Sequence, residues 1–131
     1  MEMTRHRVNV RLHHTDAAGV LFYGRLFELV QEAFEEALRA GGLPLADLLR
    51  DGGFGLPVVH AEADYAAPVR VGDSLDVRLS FEAGDRSLRV NAEIADGAGR
   101  TVGAAHVVHA AVDWATGAAV PLPDAVRALT R

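Results

Sequence analysis

The chain has 131 residues, of which 50% are hydrophobic and 24% charged, with a formal net charge of −5. That length and balance fit one soluble domain spanning residues 1–131 with a core of its own, and the acidic balance speaks against a nucleic-acid partner, which would call for a basic face. There is no cysteine and, among 13 basic residues, no lysine, which excludes disulfides, thiolate metal sites, a cysteine nucleophile and lysine Schiff-base chemistry, and leaves any basic side-chain contact to phosphate to arginine.

The N-terminal Met-Glu-Met-Thr-Arg-His-Arg has no apolar run of signal-peptide length, and no stretch approaches the ~20 apolar residues of a membrane span. Cytoplasmic residence without a membrane partner is therefore expected. Val8, Val10 and Leu12 alternate with Arg7, Asn9 and Arg11, the pattern of a strand with one apolar face. Next comes a helix: Leu26, Leu29, Val30, Ala33, Phe34, Ala37 and Leu38 share one helical face, Glu28, Glu32, Glu35, Glu36 and Arg39 the other, and Gly41-Gly42 stop it. It is predicted to start near Phe22–Gly24 and run about four to five turns. A shorter helix is predicted over Leu45–Leu49. Strands follow at Val59–Tyr65 (closed by Pro68), over Leu75–Glu82, over Leu88–Ile94 and over Thr101–Asp113, the last apolar on both faces as a central strand would be. Short links between the last three imply an antiparallel meander, and one long helix on such a sheet makes an α+β fold.

The stretch between the first strand and the long helix, His13-His14-Thr15-Asp16-Ala17-Ala18-Gly19-Val20-Leu21-Phe22-Tyr23-Gly24, carries the chemistry. Its small residues let the backbone turn tightly and bring Gly19 and Val20 close to a ligand. The helix start that follows offers unpaired N–H groups and the positive end of a dipole. A carboxylate beside such donors suits acyl transfer, with the donors stabilising an oxyanion while the carboxylate attacks or activates water. From the residues alone, the plainer role for Asp16 is that of a cap on the turn.

His-Thr-Asp-Ala-Ala-Gly-Val-Leu-Phe-Tyr before an acidic amphipathic helix resembles the 4-hydroxybenzoyl-CoA thioesterase branch of the hot-dog superfamily, whose motif reads D-T-D-A-x-G-V-V-Y/F. The resemblance covers nearly the whole chain: His60-Ala-Glu-Ala-Asp-Tyr65 and Pro68-Val-Arg-Val-Gly-Asp73 look like the family's second block. Within the branch the sequence is most similar to 1,4-dihydroxy-2-naphthoyl-CoA thioesterases, on Thr15-Asp-Ala-Ala-Gly-Val20 and Ala33-Phe34-Glu35-Glu36-Ala37-Leu38. The resemblance implies a hot-dog fold, a long helix wrapped by an antiparallel sheet, and hydrolysis of an acyl-CoA thioester, with an aromatic acyl group, in homodimers or homotetramers. It implies Asp16 as the catalytic carboxylate and the Tyr23 N–H as oxyanion donor, with no cofactor beyond the coenzyme A of the substrate. Two departures stand out. His14 replaces an aspartate common two positions before the catalytic one, and Tyr23 replaces a histidine found in many bacterial members, which favours the aryl-CoA side.

The remaining candidates follow from position. Gln31, at the edge of the apolar stripe one turn beyond Phe27, is placed to hold a polar substituent on the acyl group, or is a plain boundary residue. His60 heads the second block and is placed to face the pocket across a subunit interface, or is structural. Arg86, Arg89 and Arg70 are candidates for the CoA phosphates, against the commoner role of surface arginines. His13 and His14, as neighbours on a strand, would face opposite ways, and a catalytic zinc needs three convergent ligands, so no metal is expected. His106 and His109 read as hydrogen-bonded core or interface residues and His6 as solvated. The rival functions are a broad short- or medium-chain acyl-CoA thioesterase, a hot-dog hydratase (which would want histidine where Leu21 stands) and a non-catalytic acyl-CoA binding module.

Overall fold

The computed structural model describes residues 4–130. Five strands form one antiparallel sheet in the order β1 (Thr4–Asn9), β4 (Ser74–Ala83), β5 (Ser87–Ala95), β6 (Thr101–Ala110), β3 (Val58–Tyr65). The meander of β4, β5 and β6 is the one that the short Gly-rich links predict. Helix α1 (Arg25–Ala40) lies across the sheet and buries Leu26, Leu29, Val30, Ala33, Phe34, Ala37 and Leu38, the same residues that the helical period selects. Its facing partners are the inward residues of the sheet: Leu75, Val77, Leu79 and Phe81 of β4, Leu88, Val90 and Ile94 of β5, and Ala105 and Val107 of β6. Phe34 sits at the centre, 6.1 Å from the Phe81 ring and 4.7 Å from that of His109. Near its start the helix crosses β6 closely, since a Cβ on Gly103 would lie 3.8 Å from Leu26.

The short helix α2 spans Leu45–Asp51, two residues beyond its predicted end, and buries none of its residues. It leads into β2 (Phe54–Gly55), which pairs with β7 (Val112–Asp113) in a separate two-stranded sheet. The last strand is thus shorter than its apolar run suggests. Ala110 donates to Pro57 and Ala111 to Arg86, after which the chain leaves the main sheet for β2. Nor is β6 buried on both faces. Val107 and His109 are buried against the helix side, whereas Ala104, His106 and Val108 on the other side are half-buried. A short helix α3 (Asp124–Arg127) follows, with Leu122 and Val126 anchored in the core.

The first strand also ends early. Val8 and Val10 are buried as predicted, but β1 stops at Asn9 and Leu12 is 77% exposed. The cause is local: the Arg11 N–H, which a strand would offer to a neighbour, instead bonds the His14 ring, and Leu12–His14 form a 3-10 turn. Among the described residues no helix is long and apolar enough to cross a membrane.

Candidate active site

The 3-10 turn sets the frame of the Asp16 segment. His14 is buried, its Nδ1 accepting the Arg11 N–H at 2.9 Å and its carbonyl accepting the Phe22 N–H at 2.9 Å. Between those anchors the chain doubles back as a narrow hairpin: Asp16 N–H donates to Val20, and Gly19 N–H returns to Asp16. Gly19 has φ +77°, a left-handed conformation that any side chain would strain, and nothing lies within 4 Å of where its Cβ would be. The hairpin is stitched to the body by Leu21 N–H on the Val69 carbonyl at 2.7 Å and by a bridge between Val20 and Arg70.

At the tip Asp16 is exposed, and its Oδ1 accepts the Ala18 N–H at 2.8 Å. The capping role read from the residues alone is therefore present. It occupies one carboxylate oxygen; among the described residues no donor meets Oδ2, so capping and chemistry are compatible. The bond from the Ala18 N–H directs Oδ1 back into the turn.

The helix start supplies the donors. The Phe22 carbonyl accepts the Arg25 N–H at 2.9 Å. A trans peptide carries its N–H opposite its carbonyl, so this bond turns the Tyr23 N–H away from the helix. The next peptide is fixed likewise, because the Tyr65 hydroxyl donates to the Tyr23 carbonyl and so aims the Gly24 N–H. Burial raises the Tyr65 phenol above its usual pKa, which keeps that donor protonated. Among the described residues neither Tyr23 N–H nor Gly24 N–H has a backbone acceptor. They stand unpaired at the start of a helix of 16 residues, where the positive end of its dipole lies.

From Gly24 a groove follows the exposed side of α1 past Phe27 and Gln31. Phe27 and Gln31 also border a throat of about 90 Å³ that passes Phe34 and His109. Beside it lies a mainly apolar pocket of about 530 Å³, partly open to solvent and lined by Leu48, Phe54 and the exposed Trp114 among others. Gln31 thus sits at the mouth, exposed, with its Nε2 on Glu35 at 3.2 Å and its carbonyl oxygen free among the described hydrogen bonds.

The other candidates are scattered. Arg70 adjoins the hairpin through the Val20 bridge. Arg86 lies in the β4–β5 turn and Arg89 on β5, at the opposite end of β4, about 30 Å along the strand. Arg89 is occupied by Asn91 at 3.1 Å and Glu82 at 3.7 Å. His60 is exposed on β3, 3.7 Å from Glu62. Its neighbour Ala61 lines the throat, so by strand alternation His60 faces away from it within one chain. His13 and His14 are on a turn, not a strand, with their rings 4.1 Å apart, and the described residues contain no cluster able to hold a metal. His6 is half-buried, 3.8 Å from Glu32, and His106 meets Asn91 at 2.6 Å.

Three residues matter more here than their sequence context suggests. His14 occupies the position of the missing aspartate and braces the hairpin. Tyr65, at the end of the second block, shares the inward parity of Ala61 and Ala63, and that parity is the signal that points it at the helix start. His109 reads as core but lines the pocket.

Comparisons with known proteins agree with this geometry. Residues 10–129 match the family model of the thioesterase-like superfamily. The chain is 35% identical over 117 residues to the 1,4-dihydroxy-2-naphthoyl-CoA hydrolase of Synechococcus elongatus, covering 88% of this chain and 85% of that one. Its structure is similar to that of a 1,4-dihydroxy-2-naphthoyl-CoA thioesterase from Synechocystis, with a TM-score of 0.92 at 27% identity over 98% of this chain and 96% of the other. A gentisyl-coenzyme A thioesterase superposes with a TM-score of 0.87, also at 27% identity, over 98% of this chain and all (100%) of that one. The arrangement of α1 on the five-stranded sheet is the hot-dog fold of these enzymes. The chain belongs to the thioesterase-like superfamily.

Proposed function

We propose that the protein hydrolyses aromatic acyl-CoA thioesters, converting an aryl-CoA and water into the aryl acid and free CoA. The observation that carries this reading is the Asp16 carboxylate, one oxygen free, on a braced hairpin that leads directly into the unpaired N–H groups of Tyr23 and Gly24. The thioester carbonyl oxygen rests on those N–H groups. Asp16 either attacks the carbonyl carbon, expelling CoA thiolate and leaving a mixed anhydride for water to open, or takes a proton from the water that attacks. In both routes negative charge grows on the carbonyl oxygen, where a preorganised donor is worth about 3–4 kcal/mol. A carboxylate, backbone donors and water suffice, so no cofactor is invoked and coenzyme A enters only as part of the substrate.

The aromatic acyl group follows from the groove beside Phe27 and Gln31 and from the relatives' substrates. A flat ring against Phe27 gains about 0.5–1.5 kcal/mol beyond area burial, and Gln31 meets a ring substituent at the mouth. The apolar pocket beside the throat favours a second reading, a broad thioesterase that also accepts alkyl chains. A thiol-release assay separates them. The aryl reading expects kcat/KM for 4-hydroxybenzoyl- and 1,4-dihydroxy-2-naphthoyl-CoA at least about tenfold above that for decanoyl-CoA, about 1.4 kcal/mol. Equal values would leave only the broad enzyme, and no thiol release would leave only a binding module.

A homodimer, itself able to pair into a tetramer, completes the site. Among the described residues strand β3 pairs with β6 alone, and Val58, Val59 and Tyr65 on it are 53%, 62% and 47% exposed. A bare apolar edge of this kind is normally covered, and a second copy pairing there would place its own residues over the throat beside Ala61. His60 and the pair Arg86 and Arg89 serve in this reading only a site shared with that second chain, whereas Arg70, with Gly19 and Val20, lies beside the Asp16 of its own chain and is the nearer candidate for the CoA phosphates. The reaction as proposed belongs to the cytoplasm, where CoA thioesters are made.

A further inference from the structure

We infer that His109 is a specificity residue, its Nε2 accepting a hydrogen bond from a hydroxyl on the aromatic ring of the acyl group. The inference rests on the aryl-CoA reading above and deepens it, because it names the chemistry at the far end of the ring.

His109 stands on β6, 4% exposed, with its ring 4.7 Å from that of Phe34. Its Nδ1 lies 2.8 Å from the Leu56 carbonyl oxygen. A carbonyl only accepts, so Nδ1 carries the proton, and in a neutral imidazole Nε2 is then a bare acceptor. Burial, the larger influence, pushes the ring below the usual histidine pKa against the opposing pull of the Leu56 carbonyl, so it is neutral at pH 7. Among the described hydrogen bonds nothing meets Nε2. It is nevertheless not sealed, since the one side-chain polar atom both enclosed and unpartnered among the described residues is Arg78 Nε. Nε2 therefore opens into the space that His109 lines, which is the throat and the pocket beside it.

Position agrees with chemistry. From Gly24, where the carbonyl oxygen is held, to Gln31 is seven residues of helix, about 10 Å along its axis. That is the scale of an aromatic ring or fused pair with its carbonyl and outer substituent. The polar groups waiting there, the free carbonyl oxygen of Gln31 at the mouth and His109 Nε2 inside, are both acceptors. Two acceptors in a throat whose other lining residues are apolar select a donor, which on an aromatic acyl group is a phenolic hydroxyl. An unsubstituted ring would leave Nε2 without a partner, and a methoxy group would oppose it with another acceptor.

The test compares kcat/KM for 4-hydroxybenzoyl-CoA, benzoyl-CoA and 4-methoxybenzoyl-CoA in wild type, His109→Asn and His109→Gln. Asparagine places its amide near Nδ1 and keeps a donor for Leu56 without Nε2, whereas glutamine reaches the Nε2 position. The expected wild-type preference for the hydroxyl substrate over both others is at least about tenfold. His109→Asn should reduce that preference at least about tenfold, and His109→Gln should keep most of it. Imidazole nitrogen NMR of the wild type, which needs no variant to fold, should show the Nε2 resonance move on adding 4-hydroxybenzoate and not benzoate. An unchanged preference in His109→Asn, or an Nε2 resonance indifferent to the phenol, overturns the assignment while leaving the thioesterase reading intact. Absence of any aryl-CoA hydrolysis by wild type overturns both.

Discussion

His14 shows how a single side chain can hold a reactive loop. Its Nδ1 must carry a lone pair to accept the Arg11 N–H, so protonation would set two donors face to face. Its pKa is lowered, first by burial and then by the neighbouring His13. His109 is lowered as well, chiefly by burial. In both cases the unfolded chain binds a proton at a higher pH than the folded one. Stability is therefore fully present above the ordinary value near 6.5 and is lost as pH falls below it toward the lowered folded values. Urea unfolding between pH 5 and 8 should show this slope, up to about 1.4 kcal/mol per pH unit for each proton involved. His14→Asn retains an acceptor and should remove one proton's share. A flat profile in the wild type would contradict the roles given to both rings. Gly19→Ala offers a second check on the hairpin: at φ +77° it should cost about 1–2 kcal/mol, with activity falling further than stability because the carboxylate is re-aimed. A variant as stable and active as wild type would show that the hairpin tolerates another geometry.

The elements differ in how openly the sequence declares them. Helix α1 is legible residue by residue, because an amphipathic helix needs only its own period to be recognised, and the meander follows from alternation punctuated by Gly-rich turns. The early ends of β1 and β6 are not legible. The first depends on a histidine ring taking a backbone donor and the second on β7 finding a partner at β2, and neither contact leaves a periodic trace. Strand β3 is visible as a strand but not as an edge, since order in a sheet is a tertiary fact. Its exposure carries the prediction at this scale. Light scattering at micromolar concentration should give twice the 13.9 kDa chain mass or a multiple of that, and hydrogen exchange should find the outer amides of β3 protected. A 13.9 kDa particle would contradict the proposed pairing.

At the scale of the molecule, the proposed site is a line that starts at the Asp16 hairpin, passes the head of α1 and runs along the helix to the pocket beside α2. The motif carried the first part, since Asp16 and Tyr23 are adjacent in sequence to the turn and helix that orient them. The far end is built from β6, α2 and the β2–β7 pair, and only folding brings His109 to the groove that Gln31 borders. The arginines divide the same way. Arg70 is tied to the hairpin by backbone, while Arg86 and Arg89 are a strand length away. Charge reversal at Arg70 should accordingly raise KM for CoA esters more than it lowers kcat, since a phosphate remote from the carbonyl contributes uniform binding. The same change at Arg86 or Arg89 should matter only where a second chain is present. The central claim, that Asp16 drives thioester cleavage, is tested most directly by thiol release from 4-hydroxybenzoyl-CoA with wild type and Asp16→Asn side by side. Asparagine keeps the bond from the Ala18 N–H, so the fold should lose no more than about 1–2 kcal/mol, the scale of a weakened cap, while turnover nearly disappears. Turnover above about a tenth of wild type, a barrier change below about 1.4 kcal/mol, would contradict it.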